Sequence, residues 1–326
     1  MRRRDLITAL SGAAVMWPLV ARAQQPTPVV GALAVTSMEG QEPSLAAFRE
    51  GLSEAGYVEG RNVVIEYREA NNQLDKLPEL AADLVSRRVT AILTWGGAAA
   101  ARAAKAATTR IPIVFVIGQD PVVMGVVPSF SRPGSNITGV TFMAAELGPK
   151  RLGLLKELVP GAVRYALLVD PNAPQTESVI AESRTAAASV GRAIEVFGAS
   201  SSREIDAAFA DLAKKGADAL VVGSSVLFTT RRVQLVTLAA IHRLPAIYYD
   251  RITTEVGGLM SYGARITDAM HQGGIYVGRI LKGENPGDLP VVQAAKFEFV
   301  LNLQTARALN LTVPAALLAQ ADDVID

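Results

Sequence analysis

The stretch LTWGGAAAARAAKAA at residues 93–107 runs from an apolar segment through Gly96 and Gly97 straight into an alanine-rich helical pattern. A glycine pair at such a turn lets a ligand approach the backbone, and the helix N-terminus behind it offers N–H groups and positive potential to an anion. A nucleotide enzyme would need G-x-G-x-x-G after a strand or G-x-x-x-x-G-K-[ST], and the chain has neither. It also lacks G-x-S-x-G, H-E-x-x-H and any cysteine, so the common nucleophile and metal signatures are missing. His242 and His271 sit on helical patterns with no sequence neighbour that completes a metal site, so neither a metal site nor a cofactor is expected.

Asp120 and Asp250 each follow an apolar strand and could work as acid and base, which keeps an exported hydrolase as an alternative. The same residues also read as a turn opening at Asp120-Pro121 and as an ion pair of Asp250 with Arg251. Aromatic placement says more. Trp95, Phe228, Tyr248, Tyr249 and Tyr262 fall at or just after strand ends although the chain is only 6% aromatic, which points to a small ligand with a flat apolar part. Burying about 250 Å² of such a ligand contributes roughly 6 kcal/mol, against about 1 kcal/mol for a carboxylate at a helix N-terminus. Micromolar binding needs about 8 kcal/mol, so the apolar part must supply most of it.

The elements that would position these residues alternate along the chain. Apolar runs at 29–35, 63–67, 91–94, 113–117, 166–169, 194–197, 219–222 and 246–249 read as strands. Between them lie helical patterns such as Leu45, Phe48 and Leu52, or Leu77, Leu80 and Leu84. Near-continuous apolar strands with helical crossovers predict an α/β fold of parallel sheets covered on both faces.

The alternation is duplicated. ADLVSRRVTAILTWGG from Ala82 and ADLAKKGADALVVGSS from Ala210 share their punctuation at an offset of 128 residues. Each copy continues through a helix into Arg-x-Pro and an apolar strand, at Arg110 and Arg243. Two similar lobes follow from this repeat. Ligands of open α/β sheets bind beyond the carboxyl ends of the strands, so Gly96-Gly97 and Ser224-Ser225 are expected as opposite walls of one cleft.

At the N-terminus, Arg2, Arg3 and Arg4 precede an apolar run from Leu6 to Val20 that ends at Ala21-Arg22-Ala23. This reads as a signal peptide over residues 1–23, cleaved after Ala23, and the arginines suit either the general secretory or the twin-arginine route. Its removal leaves 28 basic against 30 acidic residues, a net charge of about −2. Without a clustered basic surface nucleic acid is excluded as a partner, and no internal apolar run is long enough for stable membrane insertion. A freely diffusing monomer in the periplasm is expected.

Several longer stretches in the same order resemble the substrate-binding proteins of ABC transporters, in the subgroup that includes tryptophan- and tyrosine-binding members. They are EGLSEAGYVEGRNVVIEYR (50–68), IPIVFVIGQDPVVMGVV (111–127), SRPGSNITGVT (131–141), KRLGLLKELVPG (150–161), HRLPAIYYD (242–250), GGLMSYG (257–263) and KFEFVLNLQTARALNLTVP (296–314). The resemblance implies the type I periplasmic binding fold: two Rossmann-like lobes joined by three crossovers, placed near Phe142, Ile252 and Asp288. It divides the chain into lobe 1 (27–142 plus 253–288) and lobe 2 (143–252 plus 289–326).

By matched position, the resemblance puts ligand contacts at Ser37, Gly96, Gly97, Ala98, Asp120, Asn172, Ser224, Asp250, Ser261 and Tyr262. Trp95, Phe228 and Tyr249 join them from the aromatic pattern. The implied function is a periplasmic solute receptor, not an enzyme, that closes on an amino acid or an aromatic or branched carboxylate and hands it to an ABC permease. A sensory receptor for a membrane signalling partner is the alternative on the same fold. Where many relatives carry serine or threonine after the third strand this chain has Gly96-Gly97-Ala98, so an anion there must rely on backbone N–H groups.

Overall fold

The computed structural model describes residues 27–39, 41–142, 147–173, 176–294 and 296–326. The signal-peptide expectation for residues 1–23 lies outside them. The first five strands are β1 (Val29–Ala34), β2 (Val64–Glu69), β3 (Ala91–Trp95), β4 (Ile113–Ile117) and β5 (Ile137–Thr141). Next come β6 (Arg164–Val169), β7 (Ala193–Gly198), β8 (Ala219–Val222), β9 (Ala246–Tyr248) and β10 (Met260–Ala264). The last three are β11 (Val292–Gln293), β12 (Phe297–Asn302) and β13 (Asp323–Ile325).

They build two sheets, ordered β11-β5-β4-β3-β1-β2 and β13-β12-β10-β9-β8-β6-β7. Every pairing in the first is parallel. In the second only β10 with β12 runs antiparallel. The runs β5-β4-β3-β1-β2 and β10-β9-β8-β6-β7 are the same arrangement, so the sequence repeat is a repeated lobe. Even the proline punctuation is equivalent: Ile92 N donates to the Pro112 carbonyl and Leu220 N to the Pro245 carbonyl, both at 2.8 Å.

Both faces of each sheet are covered, which is why the strands read as unbroken apolar runs. All five residues of β4 are buried. Val114 and Val116 enter a cluster with Phe48, Leu52 and Val277, while Ile113, Phe115 and Ile117 enter another with Leu77, Leu84 and Ala104. The second lobe divides likewise, with Leu167 and Val221 on one face and Leu168 and Leu220 on the other. Local signals set the helix ends. Ser201 caps the helix Ser202–Lys215 by accepting from Glu204 N, and Gly216 ends it at φ 64°.

Two of the three crossovers lie away from their sequence-assigned places. Ile252 belongs to the short helix Arg251–Glu255, and the chain continues into β10, which pairs with β9 and β12 in the second sheet. The crossing comes only after Ala264, where the helix Ile266–Leu281 packs its Ala269, Met270 and Val277 against the first sheet. Similarly β11 returns to pair with β5, so the last crossing follows residue 293 and not Asp288. Residues 260–264 therefore belong to the second sheet and residues 292–293 to the first. The sequence hid both: Gly257-Gly258 breaks the apolar pattern ahead of β10, and a two-residue strand carries no periodicity.

Candidate ligand-binding cleft

The carboxyl ends of the strands face a cavity of about 150 Å³ between the lobes. One water needs roughly 10–15 Å³ of such space, so it suits a molecule of about ten heavy atoms or more. The first lobe contributes Thr36, Gln41, Trp95, Gly96, Gly97, residues 116–119, Phe142, Ile266 and Met270. Ser224, Ser225, Val226, Thr229, Tyr249, Asp250, Ile252 and Ala264 come from the second. Apolar groups dominate, as in small-molecule sites generally.

Gly96 and Gly97 adopt φ 85° and 143°, a region that favours glycine. Gly97 is the N-cap of the helix Ala98–Ala107 and offers no side chain to its first turn. The equivalent position in the other lobe is different: the Ser225 hydroxyl accepts from Phe228 N at 3.1 Å and caps the helix Val226–Thr230 itself. Of these two equivalent termini, the first-lobe one alone is left without a side-chain cap.

Three further polar atoms of the lining are buried and have no hydrogen-bond partner among the described residues: Trp95 Nε1, Gln119 Oε1 and Asp250 Oδ2. Trp95 Nε1 can only donate, and Asp250 Oδ2, as a carboxylate oxygen, accepts. Asp250 is 4% exposed, and its other oxygen accepts from Thr253 N at 2.8 Å to cap the helix Arg251–Glu255. Arg151, in the first turn of the helix Gly148–Leu158, is buried and donates from Nε to the Tyr262 carbonyl at 2.7 Å. Burial lowers its pKa to about 10, against the pull of Tyr249 and Asp250, so it stays cationic at neutral pH and offsets the Asp250 charge. Burial also raises the Tyr249 hydroxyl well above the ordinary tyrosine value; it donates to the Ser225 carbonyl at 2.9 Å and meets the Thr229 hydroxyl.

Of the residues singled out from sequence, Trp95, Gly96, Gly97, Ser224, Ser225, Tyr249 and Asp250 line this cavity. The others do not. Ser37 accepts from Glu39 N within its own turn, and Ala98 packs into the first lobe's core. Asp120 accepts from Val122 N and Val123 N at 2.7 and 3.1 Å, so Asp120 and Asp250 are not brought together in the cavity. Asn172 is exposed in the turn after β6 and donates from its backbone N to Asp170. Phe228 and Tyr248 are core residues at 1% exposure. Ser261 is buried inside β10, and the Tyr262 ring packs against Phe297. Gln119, Phe142, Ile266 and Met270 were missed. Gln119, one residue before Asp120, carried a strand-end signal; Met270, on a helix 175 residues beyond Trp95, carried none.

The profile of the family described as ABC transporter substrate binding protein matches residues 30–325. The chain belongs to that family. Among its relatives, the tyrosine-binding protein of Clostridioides difficile (strain R20291) is 26% identical over 276 residues, 83% of this chain and 79% of the relative. The structure of an ABC domain from Streptococcus pneumonia in complex with L-Trp superposes with a TM-score of 0.83 at 24% identity, covering 92% of this chain and 100% of the other. A ligand-free, open substrate-binding protein from Clostridium difficile gives 0.71 at 22% identity, covering 91% and 99%. These likenesses establish the two-lobed fold of the family. No helix of the described residues is long and apolar enough to cross a membrane.

Proposed function

We propose that this member of the family is the extracytoplasmic receptor of an ABC importer. It is exported with loss of residues 1–23, acts as a monomer, catalyses nothing, and delivers an amino acid with an aromatic or large apolar side chain to a membrane permease. The ligand is a zwitterion held between the lobes. Its carboxylate lies at the uncapped start of the helix Ala98–Ala107 with Trp95 Nε1 in reach, and its ammonium faces Asp250 Oδ2 and Gln119 Oε1. The side chain lies among Phe142, Ile252, Ile266 and Met270.

The observation that carries this reading is the presence, in one apolar cavity, of a buried donor, Trp95 Nε1, and two buried acceptors, Gln119 Oε1 and Asp250 Oδ2, with no partner among the described residues. A simple carboxylate would leave the buried acceptors Asp250 Oδ2 and Gln119 Oε1 without a donor, and a buried polar atom without a partner is costly. The tyrosine-binding relative and the L-Trp complex support the same ligand class. Calorimetric titration of the mature chain with L-tryptophan, L-tyrosine, L-leucine and the deaminated acid indole-3-propionate tests it. At least one amino acid binds, and the deaminated acid binds about 10-fold or more weakly than tryptophan. Equal affinity for the two indoles, or binding of none of the amino acids, would refute the zwitterion.

A further inference from the structure

We infer that the first lobe carries a second ligand site, outside the cleft: a divalent transition-metal site made by Glu50, Glu54 and His271. Glu50 and Glu54 stand one turn apart on the helix Glu42–Glu54, and His271 comes from the helix Ile266–Leu281. One ligand atom from each lies within 4.8 Å of the other two. Three atoms that close share a point no more than about 2.8 Å from any of them, and zinc bonds to nitrogen and oxygen of roughly 2.0–2.2 Å then need side-chain movements below about 1 Å. The His271 Nε2 to Glu54 Oε1 separation, 3.1 Å, is already close to the edge of a tetrahedron built on such bonds, about 3.3 Å.

The backbone fixes this convergence. A Cβ on Gly51, between the two glutamates, would fall 2.0 Å from the His271 carbonyl oxygen; one on Gly274 would fall 2.2 Å from the Phe48 carbonyl. The two helices therefore touch main chain to main chain beside the donors, and their register cannot slide. Two carboxylates one turn apart repel each other, a cost that a cation removes. Imidazole with carboxylates favours a transition metal over magnesium or calcium, and the exposed glutamates leave the outer coordination positions to water. The inference does not depend on the ligand assigned to the cleft.

Titration of the untagged mature chain with zinc ion alone, by calorimetry and thermal denaturation, tests it. One zinc per chain binds and raises the melting temperature, while calcium and magnesium at the same concentration do not. Glu54→Gln and His271→Ala each weaken zinc at least about tenfold while circular dichroism stays native. Glu50→Gln, at an exposed position, provides the same test should His271→Ala fail to fold. L-tryptophan titrated into the same variants gives an independent reading of the cleft. Zinc binding that is absent from the natural chain, or equally tight in the Glu54→Gln/His271→Ala double variant, overturns the site.

Discussion

Asp250 commits one carboxylate oxygen to capping a helix and leaves the other on the cleft. The two roles separate on substitution. Asparagine caps nearly as well as aspartate, so Asp250→Asn should keep the helix start, while the buried Arg151 it leaves less compensated should cost about 1–3 kcal/mol of stability. It removes the charge facing the proposed ammonium, and a hydrogen bond to a charged group is worth about 1.5–3 kcal/mol, so tryptophan affinity should fall roughly 10- to 100-fold. Calorimetry and thermal melts on one preparation measure both. At this scale the sequence was informative where the chain itself turns at the cavity: Gly96-Gly97, Ser224 and Asp250 all fall within two residues of a strand end. It misled where packing chooses the side, since Phe228, close to the same edge, is turned into the core by its one-turn helix.

Helix contacts are decided by what a glycine faces. Gly274 lies against the Phe48 carbonyl, whereas Gly153, on the exposed side of the helix Gly148–Leu158, has nothing within 4 Å of its added Cβ. Gly274→Ala must push the paired helices away from each other and should cost about 3 kcal/mol, a fall of roughly 6–12 °C in melting temperature. Gly153→Ala should be neutral or stabilising by up to about 1 kcal/mol, because it only lowers the entropy of the unfolded chain. Scanning calorimetry of the pair checks the opposite signs. Both lie within helical patterns in the sequence, Gly153 alone and Gly274 beside Gly273, and nothing local tells which one meets a backbone; the difference is tertiary.

Across the whole molecule the lobes meet at the far rim of the cleft. Asn72 Nδ2 in the first donates to Thr230 Oγ1 in the second at 3.0 Å, and Val226 packs against the first lobe's core. Ligand between two lobes favours the state in which both touch it, so contacts made only in that state add to its apparent affinity. Asn72→Ala removes one such hydrogen bond, worth about 0.5–1.5 kcal/mol, without touching the lining. Ligand affinity should drop about 2- to 10-fold with the binding stoichiometry unchanged, and small-angle scattering of the unliganded chain should show a larger radius of gyration.

The first four strands of each lobe, the covering of both sheet faces and the duplication were in the sequence, because strand periodicity, proline punctuation and helix caps are local properties that recur when a lobe recurs. So was the edge at which the cavity between the lobes opens, since the direction of parallel strands fixes which ends carry the loops. Tertiary structure alone decided that β10 stays with the second lobe, that Met270 reaches the cleft, and that His271 stands beside Glu54 across 217 positions of chain. Each of these depends on which surfaces are complementary when helices and sheets meet, and that complementarity is set by residues far apart along the chain.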